Sequence, residues 1–121
     1  MKRVYVAGKY SADNVIEVLQ NIGKGRQMCA NIFAHGFAPF CPWHDASYAI
    51  DLCKTDIKKS LFYESSIAWL EVSDAVLVIS GKGEGGGVDA EIKIAEEMGI
   101  PVFDNFPALL NWRYLQERKG A

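Results

Sequence analysis

Five of the seven residues in Gly81-Lys-Gly-Glu-Gly-Gly-Gly87 are glycine, and the run leads directly into a segment carrying a carboxylate at Glu91. Glycines let backbone N–H groups approach an anion closely, and a following helix adds the partial positive charge of its N-terminus. A phosphate, a carboxylate or a sugar hydroxyl suits such a loop at Gly85, Gly86 and Gly87; a flexible surface turn is the plain alternative. The spacing matches neither a Walker loop nor a complete GxGxxG. Glu91 is expected in the first turn of the following helix, where the dipole favours the ionised form. An ionised carboxylate facing a cleft can attack an electrophilic carbon or stabilise a cationic transition state. At the start of a helix the same side chain also does no more than improve helix stability, and position alone does not separate the two.

A second group is Trp43-His-Asp45, directly after Cys41-Pro42. Trp43 can stack on a planar base or pack partly into the core. His44 and Asp45 can donate or accept at a ligand, although His44 also reads as an ordinary exposed histidine. Tyr10, in the polar turn Lys9-Tyr-Ser-Ala-Asp13, carries the same ambiguity. Tyr5 lies mid-strand and reads as core.

These residues need elements to hold them. Arg3–Ala7 is a short β-branched and aromatic run ending at Gly8, hence a first strand. Ser11 or Asp13 is placed to cap a helix from about Asn14, with Val15, Ile16, Val18, Leu19 and Ile22 as its apolar stripe. Gly23-Lys-Gly25 leaves open whether this helix breaks or continues to His35-Gly36. Phe37–Cys41 reads as a second strand near the sheet edge, because of Pro39. A loop of about fifteen residues then begins at Pro42, long enough to be functional or to carry a short helix of its own. Asp56–Val72 predicts a helix with Ile57, Leu61, Ala68 and Trp69 on one side. Asp74–Ser80 is almost continuously apolar, as in a strand buried on both faces. A helix from about Val88 to Glu97 closed by Gly99, a strand Pro101–Phe103 and a helix Leu109–Glu117 complete the chain.

This alternation predicts a single α/β domain over residues 1–121: a Rossmann-like, flavodoxin-like three-layer sandwich with a parallel sheet of four to five strands. Ligands of such sheets bind beyond the carboxyl ends of the strands. That rule selects Gly8 to Asp13 after the first strand, with Gly8, Lys9, Tyr10 and Ser11 as candidates, Pro42 to about Thr55 after the second, and Gly81 to Val88 after the third, with Ser80 a further candidate at the end of that strand. It adds the segment after Phe103, and it assigns Asp74, at the opposite end, to a turn or cap.

Composition excludes several classes. The chain has 121 residues and a net charge of −2, so extended nucleic acid, which needs a clustered basic face, is not an expected partner. No apolar run reaches the roughly 18 residues of a membrane span, and no signal-peptide core is present, so a soluble cytoplasmic protein is expected. Three cysteines without a CxxC pair suggest neither a disulfide framework nor a zinc site. No metal is expected.

Taken in order, Tyr5-Val-Ala-Gly8, Gly36-Phe-Ala-Pro-Phe-Cys-Pro42, Asp74-Ala-Val-Leu-Val78, Gly87-Val-Asp-Ala-Glu91 and Gly99-Ile-Pro-Val102 resemble the nucleoside 2-deoxyribosyltransferase superfamily, which includes 2′-deoxynucleoside 5′-phosphate N-hydrolases. The resemblance runs from about Arg3 to Phe103. It implies cleavage of the N-glycosidic bond of a small nucleoside or nucleotide. In the family the Glu of Gly-x-x-x-Glu, here Glu91, attacks the anomeric carbon, and water or a second base then releases the sugar. By the same resemblance Gly8, Lys9, Tyr10, Ser11 and the glycines before Glu91 hold the sugar and any 5′-phosphate. No cofactor is implied, and a homodimer or higher homo-oligomer is.

The sequence departs from the family pattern at several places. Ser66 stands eight residues before Asp74, where the family usually has an Asp that orients the sugar or assists the leaving base. Gly85 stands six residues before Glu91, where the phosphate hydrolases carry Ser. Asp89-Ala90 replaces a small–aromatic pair, and Asp89 is a carboxylate able to substitute for the absent Asp. The chain ends Arg-Lys-Gly-Ala instead of in the acidic or aromatic tail that transferases extend to a neighbour, which favours hydrolysis over base exchange. Ser66 also keeps a second function class in view, a domain that binds or senses a nucleotide in the same cleft without turning it over.

Overall fold

The computed structural model describes residues 1–120. Strand β1 (Arg3–Ala7) leads to helix α1 (Val15–Ala34) and strand β2 (Ala38–Phe40). A 3-10 turn (Pro42–Asp45) and a short helix α2 (Ala46–Leu52) occupy the long loop. Helix α3 (Lys59–Glu71), strand β3 (Ala75–Val78), helix α4 (Gly87–Glu97), strand β4 (Val102–Phe103) and helix α5 (Phe106–Gly120) follow. The four strands are parallel, in the order β2-β1-β3-β4. This is a flavodoxin-like α/β arrangement. Strand order reverses between β1 and β3, and the crevice at their carboxyl ends is the usual ligand position.

Alternation along β1 builds the two layers of core. Val4 and Val6 face one side and pack with Cys29 and Ile32 of α1, Phe37, Ala75, Leu77, Trp43 and Leu109 of α5. Tyr5 and Ala7 face the other and pack with Leu70 of α3, Val76, Val78 and with Val88, Ile92 and Ala95 of α4. Fully burying a Val, Leu or Ile contributes about 1.5–3 kcal/mol, so β1 and β3, buried along both faces, anchor the molecule. Cys29 and Cys41 are buried free thiols, and Cys53 is an exposed one.

Several local expectations change. Asn14, not Ser11 or Asp13, caps α1: its Oδ1 accepts the Glu17 N–H at 2.9 Å. The helix passes unbroken through Gly23 and Gly25. Of its expected stripe only Val18 and Ile22 are partly buried, while Val15, Ile16 and Leu19 stay exposed. Helix α3 starts at Lys59, three residues later than expected, and buries Ser66 and Leu70. Leu61 and Trp69, expected on the inner side, are exposed. The inner row is Phe62, Ser66 and Leu70, spaced by four, and a polar serine in its middle hid it from a search for apolar periodicity. Trp69 instead lies over Phe40 of the edge strand, ring centroids 5.3 Å apart. Asp74 ties the amino-terminal end of the sheet, its Oδ2 accepting the Arg3 N–H at 2.7 Å.

Candidate active site

Helix α4 begins at Gly87, so the carboxylate in its first turn is Asp89. Glu91, the fifth residue of α4, falls just past that turn, and its electrostatics are the reverse of those expected. Burial pushes the Glu91 carboxyl up to about 7, against an ordinary 4.5. A neighbouring hydroxyl, that of Tyr5, acts in the opposite sense and favours the ionised form. Tyr5 is itself fully buried, and burial first and the Glu91 charge second drive its phenol far above the ordinary value, so it stays protonated. Its hydroxyl neighbours both Ser66 and Glu91, yet no contact closes to ordinary hydrogen-bond geometry among the described residues. Such contacts commonly tighten only around a ligand. A tyrosine in an otherwise aliphatic strand carries a polar tip that needs a partner, and that was the available signal for Tyr5.

Glu91 borders a cavity of about 690 Å³, within the usual range for small-molecule sites. The loop after β1 contributes Gly8, Lys9, Tyr10 and Ser11. From the segment after β2 come Pro42, Trp43, Asp45 and Ala49. Helix α3 adds Lys59, Phe62, Tyr63 and Ser66, and the glycine run adds Gly81, Glu84, Gly85 and Gly86, with Gly87 and Val88 opening α4. The three loops come together because β2, β1 and β3 are adjacent and parallel. The segment after Phe103 lines none of this cavity, since β4 stands at the far edge of the sheet.

Three expected residues fall outside the lining. His44 is exposed. Ser80 is turned into the β1 loop, its Oγ accepting the Lys9 N–H at 2.8 Å. Asp89 is turned onto the glycine run, where its two oxygens accept the N–H groups of Gly83 at 2.9 Å and Gly85 at 2.6 Å. At Gly85 this turn demands a φ of +79°, which side chains other than glycine adopt at a cost. The Glu84 N–H donates to the Gly81 carbonyl at 3.2 Å. The amides of residues 83 to 85, expected to face a ligand anion, thus meet the protein's own oxygens. Lys9 reaches across to the same run, its Nζ 3.2 Å from Glu84 Oε2.

Trp43 is only 3% exposed, and its ring is held between β1 and α1, so most of the indole is core and one part borders the cavity. A β-carbon placed on Gly8 would stand 2.7 Å from Trp43 Cζ2, and one on Gly25 would stand 2.5 Å from its Cδ2. Tyr10 sits near Asp45: burial, then that carboxylate, raises its phenol above the ordinary value. Sequence reasoning did not find Lys59, Phe62, Tyr63 or Glu84. The first three line the cavity from α3, whose orientation the sequence misassigned, and Glu84 was passed over as part of a glycine loop.

The fold is a doubly wound α/β sheet, and the partly buried Glu91 carboxylate borders the cavity at the carboxyl ends of β1 and β3. The chain belongs to the family described as a domain of unknown function, DUF7768, whose model matches residues 2–105. Among solved structures, the 2-deoxyribosyltransferase of Bacillus psychrosaccharolyticus is similar, with a TM-score of 0.58 and 17% identity. The similarity covers 83% of this chain and 69% of that one. At that identity the likeness establishes the shared fold. No curated protein matches. No helix among the described residues is long and apolar enough to cross a membrane.

Proposed function

We propose that the protein cleaves the N-glycosidic bond of a small nucleoside or nucleoside 5′-monophosphate, with Glu91 as nucleophile and water, in preference to a second base, as acceptor. One observation carries the reading: a carboxylate withdrawn from solvent, beside a protonated tyrosine, borders a cavity of nucleoside size. The ionised Glu91 attacks C1′ as the C1′–N bond breaks, and the departing base takes the bonding pair and a proton. Water then attacks C1′ and frees the carboxylate. The Tyr5 hydroxyl is suited to orienting the attacking oxygen. Asp45, on the cavity wall next to Tyr10, is suited to proton exchange with the base, and Phe62 and Tyr63 offer aromatic surface to it. The likeness to a 2-deoxyribosyltransferase supports the substrate class. No metal or organic cofactor enters these steps.

Incubation with a panel of nucleosides and their 5′-monophosphates should release free base, and Glu91→Ala should abolish that release. Exchange of one base for another would identify a transferase. Ser66, where the resemblance leads one to expect an acid, favours a second reading, a nucleotide sensor. Saturable binding without base release from any member of the panel would select it. Tyr48, Ile50 and Leu52 of α2 and Leu61 of α3 are exposed, which supports a homodimer or higher oligomer, and a monomer by light scattering would count against one.

A further inference from the structure

Resting on the nucleoside reading, we infer that Glu84 sets specificity at the sugar end of the ligand, admitting a free 5′-hydroxyl and rejecting a 5′-phosphate. A planar base suits the aromatic surface of Phe62 and Tyr63 on α3, and a polar sugar suits Lys9, Ser11 and Glu84 on the loops after β1 and β3. At that polar end three loop amides and the nearer lysine are already engaged. The amides of Gly83 and Gly85 donate to Asp89, and that of Glu84 donates to Gly81. Lys9 is neutralised by Glu84 at 3.2 Å. Its backbone is held, because its N–H is bound to Ser80 Oγ at 2.8 Å, and a β-carbon placed on Gly81 would stand 3.2 Å from its Cβ.

Among the described residues the cavity wall carries Lys9 and Lys59 against the carboxyl groups of Asp45, Glu84 and Glu91. A phosphate of charge about −2 would share the Lys9 ammonium with Glu84 and so lie beside that carboxylate. A hydroxyl donates to Glu84, or accepts from Lys9, with the pair intact. The energetic basis is repulsion of like charges at a binding site, a device of specificity more than of affinity. Glu84 is half-exposed, so the isosteric Glu84→Gln change leaves the packed core alone.

Calorimetric titration tests this on the Glu91→Gln protein, which holds its ligand without turnover. The ligands are the four common 2′-deoxynucleosides and their 5′-monophosphates, at low salt. For at least one base the nucleoside should bind about tenfold more tightly than its monophosphate. Adding Glu84→Gln should move that ratio about tenfold towards the monophosphate, and the shift should shrink as salt screens the site. Equal or tighter binding of the monophosphates, a ratio unmoved by Glu84→Gln, or no binding of either series overturns the inference. Failure of the two ideas is distinguishable: lack of base release by the unaltered protein, with the preference intact, sinks only the cleavage reading. Base release with the preference reversed sinks only the role of Glu84.

Discussion

The indole of Trp43 occupies the space into which a side chain at Gly25 would project: a β-carbon there would stand 2.5 Å from Cδ2 and 2.6 Å from Cε3, both in the body of the ring system. Helix α1 therefore carries a glycine in its interior, despite the helix-propensity cost of about 1 kcal/mol relative to alanine. This contact seats the 3-10 turn against the helix and so positions Asp45, two residues along, at the cavity.

Gly25→Ala should destabilise the protein by about 1–2 kcal/mol, because overpacking at a buried ring outweighs the propensity gain. Gly23 lies in the same helix with no heavy atom within 4 Å of an added β-carbon, so Gly23→Ala should stabilise by about 0.5–1 kcal/mol. Denaturant melts of the two variants check this, and equal shifts of the same sign would refute the packing argument.

Glu91 makes stability depend on pH in a defined sense. Its folded value of about 7 exceeds the ordinary 4.5, so the folded protein binds this proton more tightly than the unfolded chain does. The resulting stability is fully present below about 4.5 and is lost as pH rises to about 7. Glu91→Gln, neutral throughout, should exceed the unaltered protein in stability at pH 8 by up to about 3 kcal/mol, at about 1.4 kcal/mol for each pH unit between the two values. The advantage should vanish near pH 4. Melts across this range measure it, and a pH-independent difference would show that Glu91 is solvated.

The same proton should govern turnover. A nucleophile must be ionised, so kcat/KM for base release should rise with pH through about 7. Tyr5→Phe removes the hydroxyl that favours the ionised form, and the acid limb should move to higher pH. A purely structural loss would lower the rate without moving the limb, and an unmoved limb would detach Tyr5 from the chemistry.

The strands were legible in sequence because β1 and β3 are continuous runs that only a sheet buried on both sides accommodates, and the glycine run marked the loop beside Glu91. Helix α3 was misread because its inner row contains Ser66, and serine leaves no apolar signature. Glu91 was read as a first-turn carboxylate because one residue of difference in where a helix starts moves a side chain by a large fraction of a turn.

Residue order alone determined the alternation of strands and helices, their parallel pairing, and which loops emerge together at one end of the sheet, since these follow from period, length and the short reach of each connection. Tertiary structure alone decided which way each polar group turns. Asp89 bends back to the glycine amides, Lys9 crosses to Glu84, and Glu91 comes to neighbour the Tyr5 hydroxyl. Burial and pairing belong to groups distant along the chain, and a residue's charge state is settled by neighbours that only packing supplies.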